Sequence, residues 1–498
     1  MSKQNWGKRA YAVLALFAAT AMALPAQTFT TLHSFDGGDG QNPQAAVLVQ
    51  GIDGNLYGTV ASGGTYSGGA VFKITPSGTF TTIYNFCSQS GCSDGKYPLA
   101  GLVQATSGYV YGTTAGGGAN GGANCASYPG CGTVFRIAPS GGSTFETLYS
   151  FCVQSGCTDG ANPVGTLVKA ASGDLYGTTN AGGANCVVHG GCGTVFKITP
   201  SGTLTTLYSF CPQSGCADGA GLEVGLVQAT NGDFYGTTEG GGAGNGTVFR
   251  ITPSGTLTML HSFGGTDGST PWAGLVQATS GYLYGTTEIG GANGAGTVFR
   301  IAPSGGSTFK TLYSFCAQSG CTDGDEPMAG LVQATNGDFY GTTSNAGTNG
   351  GGTVFKITPS GKLTTVYSFC AQSGCTDGFK PLAGLVQATN GNFYGTTFYG
   401  GNCGGTYGCG TVFSLSVGLG PFVETQPTSS KVGAAVQILG TDLTGATTVT
   451  FNSTAAAFTV VSPTLIATTV PAGATTGTVQ VVTPSRTLSS NMPFRVLP

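Results

Sequence analysis

Carboxylates are the side chains of this sequence best suited to do chemistry, and seven of them recur in one setting. Each is an aspartate followed by glycine, and the seven are Asp39, Asp94, Asp159, Asp218, Asp267, Asp323 and Asp377. A ring of such carboxylates could hold a hard cation such as calcium, which prefers oxygen ligands. The alternative is that each aspartate bonds to its own backbone, because Asp-Gly is common turn chemistry. The turn role is favoured, and calcium is the only cofactor that the ring would imply.

Five further acids are less repetitive and lie close together in the chain. They are Glu223, Glu239, Glu288, Asp325 and Glu326. Trp272 lies among them in the sequence, and Tyr399 follows them. Aromatic side chains beside carboxylates suit the binding of a sugar. We therefore expect these residues and the seven aspartates to contribute to a binding surface for a glycan or a cell-surface protein.

The sequence shows no catalytic constellation. It contains three histidines, His33, His189 and His261, and none has an evident partner for Ser-His-Asp chemistry. Paired acids for glycoside cleavage could be drawn from the acids above, but nothing selects a pair. We favour a non-catalytic binding or surface protein. A structural cell-envelope scaffold and a carbohydrate-active hydrolase or lyase are the alternatives.

The 16 cysteines all fall in local pairs. Five pairs follow the pattern C-x-Q-S-G-C: Cys87/Cys92, Cys152/Cys157, Cys211/Cys216, Cys316/Cys321 and Cys370/Cys375. Three pairs are one residue further apart: Cys125/Cys131, Cys186/Cys192 and Cys403/Cys409. Where a repeat lacks one member it lacks both, as bonded partners should. We predict eight disulfides formed after export, and no metal site, because zinc sites need four clustered ligands and histidine is scarce.

The element that must position these residues is a repeat that recurs every 49 to 65 residues. Its landmark Tyr-Gly-Thr begins at Tyr57, Tyr111, Tyr176, Tyr235, Tyr284, Tyr340 and Tyr394. In the stretch Pro327–Phe369, four β-rich runs are separated by the turn signals Thr-Asn-Gly-Asp, a Gly/Asn loop and Pro-Ser-Gly. Four antiparallel strands in each of seven units predict a seven-bladed β-propeller. Hairpin turns at Asn-Gly argue against a β-solenoid.

The ends of the repeat array predict how the ring closes. Thr28–Phe35 matches a fourth strand, and Thr411–Val417 matches a third strand. The seventh unit therefore lacks an outer strand that the N-terminal segment could supply. In such a ring, the fourth-to-first and second-to-third connections share one face. We call it the looped face, and we expect it to carry every cysteine pair and to bind the ligand.

Residues 1–26 read as an export signal, with basic Lys3, Lys8 and Arg9 before an apolar core. No other stretch is long enough to cross a membrane. The chain has 40% hydrophobic and 7% charged residues and a formal net charge of −3, which gives no case for nucleic acid as a partner. We expect an exported bacterial protein, secreted, periplasmic or at the cell surface, and monomeric.

The strings G-L-V-Q-A-T-x-G-x-x-Y-G-T-T and G-T-V-F-K-I-T-P-S-G resemble the Gloeo/Verruco tandem repeat of bacterial exported proteins. That resemblance implies an extracytoplasmic repeat protein and brings no catalytic residues. Residues 420–498 resemble an IPT/TIG immunoglobulin-like domain, and their short alternating runs also predict a small β-sandwich. We expect an export signal at 1–26, a propeller at 27–417 and an Ig-like domain at 418–498.

Overall fold

The computed structural model describes residues 27–44, 47–121, 125, 129–141, 144–170, 172–185, 192–212, 215–404 and 407–497. The predicted export signal at 1–26, Cys186 and His189 lie outside these residues. The regular secondary structure of the described residues is almost entirely β-strand.

Within the described residues, the repeat array forms seven four-stranded antiparallel sheets, or blades. Strand β1 spans Thr28–Ser34. Strands β2 to β5 form the first blade and span Val49–Gln50, Leu56–Val60, Ala70–Ile74 and Phe80–Asn85. Strands β6 to β9 form the second and span Val103–Gln104, Val110–Thr114, Thr133–Ile137 and Glu146–Ser150. Strands β10 to β13 form the third and span Val168–Lys169, Leu175–Thr179, Thr194–Ile198 and Leu204–Ser209.

The remaining blades follow the same order. Strands β14 to β17 form the fourth and span Val227–Gln228, Phe234–Thr238, Thr247–Ile251 and Leu257–Ser262. Strands β18 to β21 form the fifth and span Val276–Gln277, Leu283–Thr287, Thr297–Ile301 and Lys310–Ser314. Strands β22 to β25 form the sixth and span Val332–Gln333, Phe339–Thr343, Thr353–Ile357 and Leu363–Ser368. Strands β26 to β28 span Val386–Gln387, Phe393–Thr397 and Thr411–Ser416, and belong to the seventh.

The N-terminal strand completes the seventh blade. Strand β1 pairs antiparallel with β28, in a register that places Thr28 opposite Ser416 and Ser34 opposite Thr411. Two further bonds join the first unit to the seventh: the Asn42 N–H donates to the Cys409 carbonyl at 2.8 Å, and the Thr389 N–H donates to Gln50 Oε1 at 2.8 Å. The predicted seven-bladed propeller, closed by its N-terminal strand, is confirmed.

Glutamine side chains join neighbouring blades. In the fifth blade, Gln277 Oε1 accepts the Thr230 N–H of the fourth blade at 2.8 Å, while its Nε2 donates to Gly281 of its own turn at 3.1 Å. The equivalent interblade acceptors in other blades are Gln50, Gln104, Gln333 and Gln387. The glutamine that follows valine in these inner strands therefore links neighbouring blades of the ring.

The glycine of each Tyr-Gly-Thr lets the strands approach a phenylalanine. A Cβ added to Gly285 would lie 2.6 Å from Phe299 Cζ and 2.7 Å from a Leu275 methyl group. The same two contacts recur at the equivalent glycine in all seven units. The Phe and Leu of each unit fill the space that a side chain would take. Glycine is therefore required here by packing rather than by its backbone angles.

Short 3₁₀ turns occur in the connections between blades, at Ser90–Cys92, Ser155–Cys157, Ser319–Cys321 and Ser373–Cys375, and another, Gly306–Thr308, lies between β20 and β21 of the fifth blade. The first four contain the second cysteine of a C-x-Q-S-G-C motif.

The C-terminal segment is a small β-sandwich around its own apolar core, which includes Ile438, Phe451, Ile466 and Phe494. Its strands β29 to β38 span Glu424–Gln426, Ser429–Lys431, Ala435–Leu439, Thr448–Phe451, Thr454–Ala455, Phe458–Ser462, Leu465–Thr469, Val479–Val482, Thr487–Ser489 and Arg495–Leu497. They form four-stranded sheets in the orders β29-β31-β35-β34 and β33-β32-β36-β37, with β30 paired to β38. Between residues 27 and 497, no described helix is long and apolar enough to cross a membrane.

The sandwich is docked on the propeller face opposite the looped face. Its hydrogen bonds reach turns of the first, second and sixth units: Thr464 Oγ1 donates to Ile52, Gln437 Nε2 to Thr106, and Asn491 Nδ2 to Gln333, at 3.0–3.1 Å. The Phe422 N–H donates to Thr389 of the seventh unit. The C-terminal domain thus covers this end of the propeller axis.

Gly285→Ala should destabilise the propeller by about 1–3 kcal/mol, because the new methyl group overpacks a filled interblade core. The free energy of unfolding in guanidinium chloride measures this. Gly420→Ala is the matched control, since nothing lies within 4 Å of a Cβ there. Equal stability of the two variants would contradict the packing argument.

Candidate functional site

Disulfides staple the looped face. Seven of the eight predicted pairs are bonded among the described cysteines: Cys87–Cys92, Cys125–Cys131, Cys152–Cys157, Cys211–Cys216, Cys316–Cys321, Cys370–Cys375 and Cys403–Cys409. Cys192 is also disulfide-bonded. Loops of the two cysteine-pair spacings lie against each other: the sulfurs of Cys125 and Cys131, from one spacing, and of Cys152 and Cys157, from the other, all lie within 4.8 Å of one another. The staples therefore hold both kinds of connection on one face.

A tyrosine–aspartate clamp lies inside each C-x-Q-S-G-C loop. In the connection from the fifth blade to the sixth, the Tyr313 hydroxyl donates to Asp323 Oδ2 at 2.8 Å. The same carboxylate accepts the Ala317 and Gln318 N–H groups, and it is fully buried. The equivalent pairs are Tyr84–Asp94, Tyr149–Asp159, Tyr208–Asp218 and Tyr367–Asp377. Burial, followed by the bond to Asp218, raises the pKa of Tyr208 to about 12.

The two loops without cysteine use histidine instead. His33 Nε2 lies 2.7 Å from Asp39 Oδ2, and His261 Nε2 lies 2.8 Å from Asp267 Oδ2. Six residues separate each of these pairs, whereas ten separate Tyr313 from Asp323. A histidine thus takes the tyrosine's place where the loop is shorter.

The seven repeated aspartates are therefore not gathered around the axis. Each of Asp39, Asp94, Asp159, Asp218, Asp267, Asp323 and Asp377 bonds to the fourth-strand aromatic residue at the start of its own loop. The ring of carboxylates proposed for calcium does not form, because these oxygens are used by hydroxyl, imidazole and backbone N–H groups. These bonds are the ones that the turn alternative requires.

One residue in each unit joins two blades from a left-handed conformation. The Glu326 N–H donates to Ala295 in the previous unit, and its carbonyl accepts the Ser344 N–H of its own unit. The equivalent positions with positive φ are Asn42, Tyr97, Asn162, Gly221, Thr270 and Lys380. Such angles are uncommon for residues other than glycine, and strained for the β-branched Thr270. The joint fixes the backbone at the mouth of the looped face while leaving its side chains variable.

The five less repetitive acids are brought together, as the sequence indicates. Glu223 and Glu239 of the fourth unit repel each other, and Glu239 also acts on Glu288 of the fifth unit. Glu288 is in turn affected by Glu326, which adjoins Asp325 in the sixth unit. Among the described residues, no lysine, arginine or histidine forms an ion pair with any of the five. We call this the acidic arc.

Glu223 is the most deeply placed carboxyl of the acidic arc. Its Oε1 accepts a bond from Asn180 Nδ2 of the third unit at 2.5 Å. Burial, and then the charge of Glu239, raises the pKa of the Glu223 carboxyl to about 7. The pKa values of Glu288 and Asp325 are also raised, first by burial and then by neighbouring carboxylates.

Trp272 is anchored to the acidic arc. Its Nε1–H donates to Glu239 Oε2 at 2.8 Å, which fixes the plane of the indole. Glu326 accepts from Ser344 Oγ at 3.1 Å and from Asn345 Nδ2. Asn180, Ser344 and Asn345 were not among the predicted site residues. Their signal was present, since Asn180 and Ser344 occupy the same place just after a second strand as Glu239 and Glu288 do, and Asn345 follows Ser344.

The acidic arc borders a cavity on the propeller axis, which we call the axial pocket. Its volume is about 290 Å³. The side chains around its mouth are Val164, Glu223, Trp272, Met328 and Leu382, from five successive units. Its walls continue along the segments that enter the inner strands. The pocket is mainly apolar and has one carboxyl group in its lining.

Tyr399 lies in the seventh unit, away from the acidic arc. Its ring centroid is 4.5 Å from that of Phe398 and 5.3 Å from that of Tyr407. Phe379 lies on the other side, with ring centroids 6.2 Å apart. The seventh unit therefore adds an aromatic cluster to the looped face.

Comparison with known proteins gives two family matches. A model described as the Gloeobacter/Verrucomicrobia repeat matches residues 18–224, 189–413 and 321–455. A model of the IPT/TIG domain matches residues 423–496. No curated protein matches the sequence.

Solved structures show similar folds at low identity. A fungal alcohol oxidase of the AA5 family, in complex with copper, is 12% identical with a TM-score of 0.48, covering 92% of this chain and 98% of its own. A structural genomics protein of unknown function from Bacteroides thetaiotaomicron is 12% identical with a TM-score of 0.40, covering 78% and 76%. A luciferin-regenerating enzyme is 9% identical with a TM-score of 0.41, covering 80% and 98%. Similarity at this level carries no argument about activity.

Tyr313→Phe should destabilise the protein by about 1–3 kcal/mol, because it removes a donor from the buried Asp323 carboxylate. Thermal unfolding followed by circular dichroism measures the change. Tyr66→Phe is the control, since Tyr66 is 53% exposed. A Tyr313→Phe protein as stable as the control would show that the clamp contributes nothing.

Glu223→Gln should stabilise the protein at pH 8 and have little effect at pH 4. The folded-state pKa of about 7 exceeds the ordinary 4.5, so Glu223 favours folding most below pH 4.5 and loses that contribution as the pH rises through 7. The gain at pH 8 is on the order of 3 kcal/mol. Guanidinium unfolding at both pH values measures it, with the exposed Glu146→Gln as control. A gain independent of pH would contradict the assignment.

Proposed function

This chain belongs to the Gloeobacter/Verrucomicrobia repeat family, and we propose that it is an exported, non-catalytic binding protein whose looped face recognises a glycan or another cell-surface component. The propeller repeats and the IPT/TIG domain fit a surface or binding protein. Several disulfides fit an extracellular location.

This proposal rests on the positions at which the side chains of the seven units differ. Tyr-Gly-Thr is identical in all of them. The residue two places after each left-handed joint varies instead, and the five such residues that line the axial pocket are Val164, Glu223, Trp272, Met328 and Leu382. The place just after the second strand holds Ala61, Ala115, Asn180, Glu239, Glu288, Ser344 and Phe398. A repeated frame with dissimilar side chains at one opening is typical of a recognition surface.

The frame is rigid before any ligand arrives. Disulfides and buried clamps hold the loops, and the left-handed joints tie each blade to the previous one. Less ordering is then required on binding, which favours affinity. This supports recognition, although the same staples would also serve a structural scaffold.

A glycan array probed with the full-length labelled protein tests the proposal. We expect binding that Trp272→Ala and Glu239→Gln reduce at least tenfold, because Trp272 lies at the mouth and Glu239 anchors its indole. Val153→Ala is the control on the same face, since Val153 is 62% exposed in a cysteine loop. An array without hits would favour the scaffold role, and equal binding by all variants would place recognition elsewhere.

One observation favours the alternative of a carbohydrate-active enzyme. The pKa of Glu223 is raised to about 7 beside a second carboxylate, Glu239. A general acid working near neutral pH has such a pKa. Release of reducing ends from a polysaccharide, lost in Glu223→Gln, would support this alternative over binding alone.

A further inference from the structure

The far end of the axial pocket faces the C-terminal domain. The C-terminal domain covers the opposite face, with hydrogen bonds to the first, second and sixth units. Along the axis, neighbouring inner segments also converge at glycine. A Cβ on Gly330 would lie 3.1 Å from the Gly274 carbonyl, and one on Gly384 would lie 3.1 Å from the Gly330 carbonyl. A ligand that approaches from the looped face meets the acidic arc first.

The size and lining of the pocket limit what can enter it. At about 290 Å³ it is at the small end of ligand pockets, so it suits a single small group rather than a length of polymer. Val164, Met328 and Leu382 present hydrocarbon at the mouth, and Trp272 presents an indole. The group that enters should have an apolar body.

The charge at the mouth determines which polar group the ligand should carry beside its apolar body. Glu223 lies in the lining itself, and Glu239 holds the indole of Trp272. Glu288, Asp325 and Glu326 extend the negative charge around the rim. In the described part of the chain, no basic side chain pairs with any of these five carboxylates. The complementary ligand group is a cation, and an indole face also attracts ammonium.

We propose that the axial pocket binds a small alkylammonium group, with its hydrocarbon among Val164, Trp272 and Leu382 and its ammonium at Glu223 and Glu239. This rests on the proposed function and names the ligand chemistry at the same mouth: the recognised component carries an amine on a short apolar chain.

Tryptophan fluorescence reports on this pocket directly. The sequence has two tryptophans, Trp6 and Trp272. In the Trp6→Phe chain, Trp272 is the sole tryptophan, so its emission comes from the pocket lining. Binding of a ligand against the indole should change that emission in a saturable way.

The test titrates three probes of equal size into the Trp6→Phe protein at pH 8 and constant ionic strength: n-butylammonium chloride, n-butanol and sodium butyrate. We expect saturable binding of butylammonium, at least tenfold weaker binding of butanol, and no binding of butyrate. Glu223→Gln and Glu239→Gln should each weaken butylammonium binding about tenfold or more while leaving butanol binding unchanged. Glu146→Gln, which alters a carboxylate outside the arc, should change neither.

Equal binding of butylammonium and butanol, or no saturable response to any probe, overturns the proposal. Butylammonium binding that survives both glutamine substitutions also overturns it. The glycan array separates this result from the proposed function. If the array gives hits but butylammonium does not bind, the proposed recognition role is supported and the alkylammonium assignment is rejected. If butylammonium binds but the array gives no hits, the pocket assignment is supported and a glycan ligand is rejected.

Discussion

The structure depends on a joint that recurs in all seven units, in which the carbonyl of one residue accepts a bond from its own blade and, in at least six units, the N–H of the same residue donates to the previous blade. This pair of bonds requires a positive φ, and six of the seven residues that adopt it are not glycine. Glutamine side chains add a second joint on the opposite face. Because both joints also occur between the seventh and first units, the closing contact uses the same chemistry as contacts between other blades.

The joint also explains why a repetitive chain can present one distinctive opening. Its bonds use only backbone atoms, so they place no demand on the side chain that follows. The interblade cores, by contrast, accept only the glycine, leucine and phenylalanine that fill them. Differences between units are therefore concentrated at the mouth, where Glu223, Trp272 and Met328 occupy equivalent places around the axial pocket.

Most of the fold can be predicted from the sequence, because short motifs that recur in every unit specify the strands and turns. The strand Phe339–Thr343 lies between the Thr-Asn-Gly-Asp turn and the Gly/Asn loop, as the repeat predicts, and β1 lies where the spare fourth strand was expected. The inner strand of this unit pairs over only Val332–Gln333, because the residues before it converge on the axis instead of pairing within the sheet. The sequence contains no pattern that predicts how the C-terminal domain docks on the propeller, since the docking depends on single contacts such as that of Thr464 with Ile52. The aspartate ring was not foreseen to be absent for a similar reason: the side chain that binds each carboxylate, tyrosine in five units and histidine in two, lies ten or six positions upstream in the preceding strand.

The pairing of β1 with β28 sets the order in which the molecule can be completed. The segment that is synthesised first has to remain unpaired until residues almost 400 positions later have been made. Pairing between segments so distant in the chain is intrinsically slow and leaves strand edges exposed in the meantime. The propeller therefore finishes folding only after nearly the whole chain has been synthesised, and a nascent chain stalled inside the sixth unit would hold an open arc rather than a smaller ring.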